Sequence, residues 1–123
     1  MATTLTSDTT DGDADARLAR AALAAVVEHV NRGLVVELRG ELDVVSAPGL
    51  RRRMLALVER HDERSFVLDL RGLTFVGTAG LAVLVVIERA VRRRGGRLTL
   101  VGLSPAARRL LQVAGLDEVF TVA

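Results

Sequence analysis

The 123-residue sequence has no cysteine, no lysine, no tryptophan and no tyrosine, and only two histidines, His29 and His61. Each absence removes a class of chemistry. Without cysteine there is no disulfide, no thiol nucleophile and no thiolate zinc site. Without lysine there is no Schiff base and no phosphate-loop lysine. Three phenylalanines are the only aromatic side chains, so nucleic-acid bases would find little to stack on. The longest uncharged run, Gly72 to Ile87, has 16 residues and is interrupted by Gly77 and Gly80, which is short for a bilayer span. Residues 1–16 have neither the basic start nor the apolar centre of a secretory signal. These exclusions point to a cytoplasmic binding or regulatory module, not an enzyme, with no cofactor, no metal and no membrane partner.

What remains is globular in kind. Half of the residues are apolar and 26% are charged, enough for one domain. The net charge of +2 is uneven. Residues 1–16 hold four aspartates and no base, which leaves +6 on residues 17–123. The first segment reads as a disordered acidic tail and the second as the domain. A mildly basic surface without interleaved aromatics argues against nucleic acid as a partner.

The domain alternates strand and helix. Residues 34–42 place Leu34, Val36, Leu38 and Leu42 on one face and Glu37, Arg39 and Glu41 on the other, a half-covered strand. Ser46 and Pro48 mark a helix start, and Leu50, Met54, Leu57 and Val58 form its apolar stripe. Arg51, Arg52 and Arg53 flank that stripe as a solvated face. Phe66 to Leu70 is the next strand. Residues 78–94 contain Val83 to Ile87, which suits a strand, but Arg92, Arg93 and Arg94 followed by Gly95 and Gly96 give a helix end. Those arginines resemble an RNA-binding tract, which capping explains more simply. Arg97 to Gly102 is a strand, Ser104-Pro105 opens a helix that Gly115 ends, and Val119 to Val122 is a last short strand. Residues 16–27 fit a helix by composition, and Ala25 to Val30 fit an edge strand; the turn at 31–33 favours the strand.

Four blocks resemble the STAS family of bacterial anti-anti-sigma factors and sulphate-transporter tails. They are Leu38 to Asp43, the helix from Ala47 to Met54, Leu68 to Phe75 running into Gly77-Thr78-Ala79-Gly80-Leu81, and Gly95 to Pro105 continuing to Leu116. The resemblance covers about residues 25–122. It implies an α/β fold with a mixed four- to five-stranded sheet and helices packed mainly on one face, and it favours Ala25 to Val30 as the first strand. The closing helix of many members is expected to be missing after Val122. Family members carry Asp-Ser-Ser-Gly-Leu at the start of the second helix, where an anti-sigma kinase phosphorylates the first serine. Here Gly77 stands at the acidic position, Thr78 at the phosphoacceptor and Ala79 at the second serine.

Read by itself, Thr78 is an N-cap of the next helix. The resemblance makes it a phosphorylation site, with Asp43, Gly77, Ala79, Gly80, Leu81 and Val85 as partner-binding residues. Asp43 reads equally as a turn-forming side chain, and Asp69 as structural. The implied function is an anti-sigma factor antagonist that binds an anti-sigma serine/threonine kinase, as a monomer or weak dimer, and lets go when phosphorylated. The alternative is a STAS scaffold or transport-accessory subunit without phosphorylation, toward which Gly77 and Ala79 lean. His29 and His61 lie near no carboxylate pair in sequence and suggest no metal site.

Overall fold

A computed structural model describes residues 2–6, 23–31 and 33–123. Strands β2 (Leu23–Val30) and β3 (Gly33–Leu42) form an antiparallel hairpin. Its turn holds Asn31 at φ 46°, a left-handed conformation that asparagine tolerates better than most residues. The strand reading of Ala25 to Val30 is therefore correct, and the strand begins earlier, at Leu23. Leu23, Ala25 and Val27 alternate inward and are buried, a period-two burial that a helix could not give.

The N-terminal reading differs more. Ala2–Thr6 forms β1 and pairs antiparallel with β2, where the sequence suggested a tail. A threonine-rich segment has strand propensity, and the free edge of β2 offers unpaired backbone groups. The rest of the expected tail, residues 7–16, lies outside the described residues, as do residues 17–22.

Beyond the hairpin the sheet is parallel. Strands β3, β4 (Ser65–Val76), β5 (Arg97–Val101) and β6 (Thr121–Val122) lie side by side in chain order. The sheet is mixed, five strands plus β1 at the edge. Helices α1 (Ala47–Arg60), α2 (Thr78–Arg93) and α3 (Pro105–Val113) connect the parallel strands. Burial alternates along the central strands. Leu34, Val36, Leu38, Phe66, Leu68, Leu70, Leu98 and Leu100 are buried, while Val35, Glu37, Val67 and Thr99 between them are half-buried. The helices thus cover one face, and Leu50, Met54, Leu57, Val58, Leu84, Ile87 and Val91 join the sheet side chains in one core.

The helix ends follow local chemistry. The ambiguous 78–94 stretch is a helix, and it stops as glycine dictates. Gly95 has φ +78°, and the N–H groups of Gly95 and Gly96 donate to the carbonyls of Arg92 and Val91, the paired bonds of a Schellman stop. Ser104 caps α3, its hydroxyl accepting from the Ala107 N–H at 3.1 Å. Ser46 precedes α1, but its side chain caps no N–H of the helix. Its hydroxyl donates to the Glu41 carbonyl at 2.8 Å.

Strand β4 runs past the expected Leu70 to Val76. Register shifts at Glu37/Arg39 and Gly40/Glu41 let its second half stay paired, so that Leu42 ends opposite Val76. That extension places the 43–46 turn beside the start of α2.

Candidate functional site at the start of α2

Two chain reversals meet where β3 and β4 end. The Gly77 N–H donates to the Leu42 carbonyl at 2.9 Å, continuing the β3–β4 pairing by one rung. Gly77 is extended (φ −100°, ψ 179°), and its carbonyl accepts from the Leu81 N–H at 3.1 Å. Gly77, not Thr78, is therefore the N-cap. Thr78 is the first helical residue, and its hydroxyl makes no capping bond, which corrects the N-cap reading. The side chain is exposed. The first turn of α2 has no side-chain cap and no acidic residue, so its orphan N–H groups and the positive pole of the helix are uncompensated by side chains.

Asp43 builds the neighbouring turn. Its Oδ1 accepts from the backbone N–H of Val45 at 2.9 Å and of Ser46 at 3.0 Å, and from the Ser46 hydroxyl at 3.3 Å. The Asp43 N–H donates to the Ser46 hydroxyl oxygen at 3.0 Å, and its carbonyl accepts from Ala47. Of the two readings of Asp43, the geometry carries the turn-forming one. What the turn presents is apolar. Val44 is 74% exposed and Val45 58%, and Phe75, at the end of β4, is 50% exposed. The sequence reading missed these three, although an unbroken Val-Val pair between a strand and a helix start was an available signal for Val44 and Val45.

The remaining expected partner residues divide. Ala79 and Val85 are half-buried. Leu81 is 2% exposed and part of the core, so it does not face a partner as expected. The first turn of α2 points that position at the sheet. Gly80 is buried as well, and a Cβ built on it would lie 2.6 Å from Leu42 Cγ and 3.0 Å from the Leu42 carbonyl oxygen. Its lack of a side chain lets α2 approach β3 closely; it offers no open path to a partner.

Asp69 is buried on the opposite face of the sheet, as a structural reading requires. The Arg71 guanidinium clasps it with bonds of 2.9 Å to Oδ1 and 2.6 Å to Oδ2, and the Arg71 N–H adds a third at 3.1 Å. These hydrogen bonds, Arg71's side chain first, hold the Asp69 carboxyl below its usual range against the opposing effect of burial. Glu37 and Arg39 make a parallel pair on the adjacent strand at 2.6 Å. Two of the suspected RNA-binding arginines are engaged within the domain. Arg92 pairs with buried Glu88 at 2.8 Å and Arg94 with Asp62 at 3.1 Å.

The structure also gathers residues that sequence distance kept apart. His29 and His61 stack edge to face with ring centroids 5.0 Å apart, and the Glu63 carboxylate lies against both. The pairing of β2 with β3 and of Gly33 with Ser65 is what brings position 29 to the α1–β4 connection.

Among the described residues no helix is long and apolar enough to cross a membrane. Residues 24–123 match the family model of the STAS domain. An anti-sigma F factor antagonist of Paenibacillus polymyxa is 29% identical over 96 residues, covering 78% of this chain and 82% of that one. An anti-sigma-B factor antagonist of Bacillus subtilis (strain 168) is 30% identical over 96 residues, covering 78% and 86%. The crystal structure of an anti-sigma factor antagonist from Mycobacterium paratuberculosis superposes with a TM-score of 0.73 at 31% identity, covering 82% and 85%. SpoIIAA in its unphosphorylated form shares the fold, with a TM-score of 0.70 at 24% identity over 80% of this chain and 87% of that one.

Proposed function

The chain belongs to the STAS domain family, and from that premise we propose that it is an anti-sigma factor antagonist that binds an anti-sigma serine/threonine kinase in the cytoplasm and is switched off by phosphorylation at Thr78. The observation that carries the reading is the exposed Thr78 at a helix start that no side chain caps, beside the exposed apolar side chains Val44, Val45 and Phe75. The apolar group supplies contact area to a partner; the hydroxyl supplies the control. In the transfer step the Thr78 oxygen attacks the γ-phosphorus of ATP, its proton passes to a base of the kinase, and ADP leaves.

The local electrostatics make this a switch that leaves the fold intact. A phosphate at the first helical position adds about −1.5 to −2 charges at neutral pH. The free N–H groups of α2 and its positive pole accommodate that charge within the domain. A partner seated on Val44, Val45 and Phe75 would have to desolvate the same dianion, which costs it binding energy. Departures at Gly77 and Ala79 remove an acid and a hydroxyl from the family pattern but leave the acceptor itself in place.

The test incubates the full chain with the anti-sigma kinases of its source organism and ATP, followed by mass spectrometry and pull-down. The expected result is one phosphate, on Thr78, and release of the kinase. Thr78→Ala should stay bound and unmodified, and Thr78→Glu should bind at least about tenfold more weakly. If Thr78→Ala is modified and released like wild type, the switch assignment fails. A wild-type chain that captures a partner without ever being phosphorylated supports the scaffold alternative instead.

A further inference from the structure

The His29, His61 and Glu63 cluster lies at the end of the molecule opposite Thr78. Strand β4 begins at Ser65, beside the cluster, and ends at Val76, beside the switch; twelve residues of strand put the two on the order of 35 Å apart. Each of the three residues is placed by a different piece of secondary structure. His29 belongs to the inward-facing series Leu23, Ala25 and Val27 of β2, so its ring lies on the helix side of the sheet. His61 is the C-cap of α1, turned out of the helix at φ −124° and ψ 136°, with its N–H held by the Leu57 carbonyl at 3.1 Å. Glu63 follows two residues later in the connection to β4.

The distances are unlike those of a hydrogen-bonded triad. His29 Nδ1 lies 3.4 Å from Glu63 Oε1, and His61 Nδ1 lies 3.6 Å from Oε2. A good N–H···O bond would be about 2.7–3.2 Å. Moreover, Oε2 is buried without a hydrogen-bond partner, a condition that native structures rarely leave uncompensated. The ligand atoms of all three side chains lie within 4.8 Å of one another. In a tetrahedral zinc shell, with bonds of about 2.0–2.2 Å, neighbouring ligand atoms sit about 3.3–3.5 Å apart. The two N···O separations, one to each oxygen of the Glu63 carboxylate, are close to the edge of that polyhedron, and a small rotation of the carboxylate brings one oxygen between both rings. Both rings turn the same atom, Nδ1, toward the carboxylate, which leaves each Nε2 free to carry the proton of a neutral imidazole, the form that binds a metal.

We infer that His29 Nδ1, His61 Nδ1 and a Glu63 carboxylate oxygen form a binding site for a divalent transition-metal ion, zinc by donor set. Two imidazoles and one carboxylate are borderline ligands that suit zinc and neighbouring ions over calcium or magnesium. The carboxylate lowers the net charge of the bound ion, and water takes the remaining coordination. The ion enters from solvent, since the His29 side chain is 47% exposed. Bound there, it ties the C-terminal end of β2 to the α1–β4 connection, two segments separated by more than thirty residues of chain. It therefore acts as a clip on the fold, independent of whether Thr78 accepts phosphate.

The experiment titrates zinc chloride into the untagged full chain by calorimetry, with the thermal unfolding midpoint measured alongside. The expected result is one ion per chain and a midpoint raised by about 5–10 °C at zinc well above the dissociation constant. Glu63→Gln and His61→Asn should each weaken binding about tenfold or more. Long-range ¹H–¹⁵N spectra of the wild-type imidazoles provide a readout that does not depend on the variants folding. Zinc should shift the Nδ1 resonances of both histidines together. Absence of binding, affinity unchanged in folded variants, or a shift of only one ring would overturn the assignment. None of these results bears on phosphorylation, so the clip and the switch fail separately.

Discussion

Replacing Gly80 by alanine sets two effects of opposite sign against each other. Alanine favours a helix interior over glycine by about 1 kcal/mol, so by propensity alone Gly80→Ala stabilises α2. Packing opposes this. The new Cβ would stand 2.6 Å from Leu42 Cγ and 3.0 Å from both Leu42 Cδ2 and the Leu42 carbonyl oxygen. Leu42 is fully buried, and its carbonyl holds the Gly77 N–H, so neither the side chain nor the backbone can retreat cheaply. Overpacking of this kind costs about 1–3 kcal/mol, and position 80 is in the first turn, where propensity counts least. The net expectation is a loss of about 1–2 kcal/mol, seen in urea unfolding followed by far-ultraviolet circular dichroism. A double-mutant cycle isolates the cause. Leu42→Ala alone opens a cavity and costs about 2–5 kcal/mol, but it also makes room for the alanine at 80. The pair should cost about 1 kcal/mol less than the two singles together. A Gly80→Ala protein as stable as wild type, or strictly additive costs, would refute the close-approach reasoning and with it the account of how α2 is seated.

The remaining expectations concern the site and its support. Val44→Asp combined with Val45→Asp should leave stability within about 0.5 kcal/mol of wild type, because both side chains are exposed, yet abolish kinase capture in a pull-down; retained capture would place the contact elsewhere. Gly77→Asp introduces the acidic N-cap of the family pattern and should raise stability by about 0.5 kcal/mol in the same urea assay, since only the exposed Phe75 ring, 3.1 Å from the new Cβ, must shift. Asp69→Asn should destabilise the domain by about 1–2 kcal/mol at neutral pH, discounted because the partner Arg71 is largely exposed. The Arg71 hydrogen bonds hold the folded Asp69 carboxyl below the ordinary aspartate range, so its contribution is complete above that range and is lost as pH falls through the lowered folded value. The gap between Asp69→Asn and wild type should therefore hold from neutral pH down to about 5 and close in more acidic urea titrations.

Much of the fold was legible in local patterns because the forces that write them are local. The stripe Leu50, Met54, Leu57 and Val58 is buried as its spacing requires. Gly95 and Ser104 end and begin their helices through bonds a few residues long. The boundaries that local patterns do not set depend on partners far away in the chain. Strand β4 extends to Val76 because β3 is there to pair with it. Ala2–Thr6 becomes a strand because β2 presents an edge. The cap falls at Gly77 and not at Thr78 because the Leu42 carbonyl, thirty-five positions earlier, holds Gly77 in the extended conformation.

The site shows the same division. Residue order alone determined the strand and helix alternation, the resemblance to the STAS family and the choice of Thr78 as the informative hydroxyl, since these rest on identities and short spacings. Tertiary structure decided which neighbours of Thr78 face outward. It turned Leu81 into core, Asp43 into the scaffold of a turn, and Val44, Val45 and Phe75 into the exposed surface. It also brought His29 beside His61 and Glu63. A helix or strand period tells which residues share a face, but strand register and helix seating fix which face meets water and which distant residues share that space.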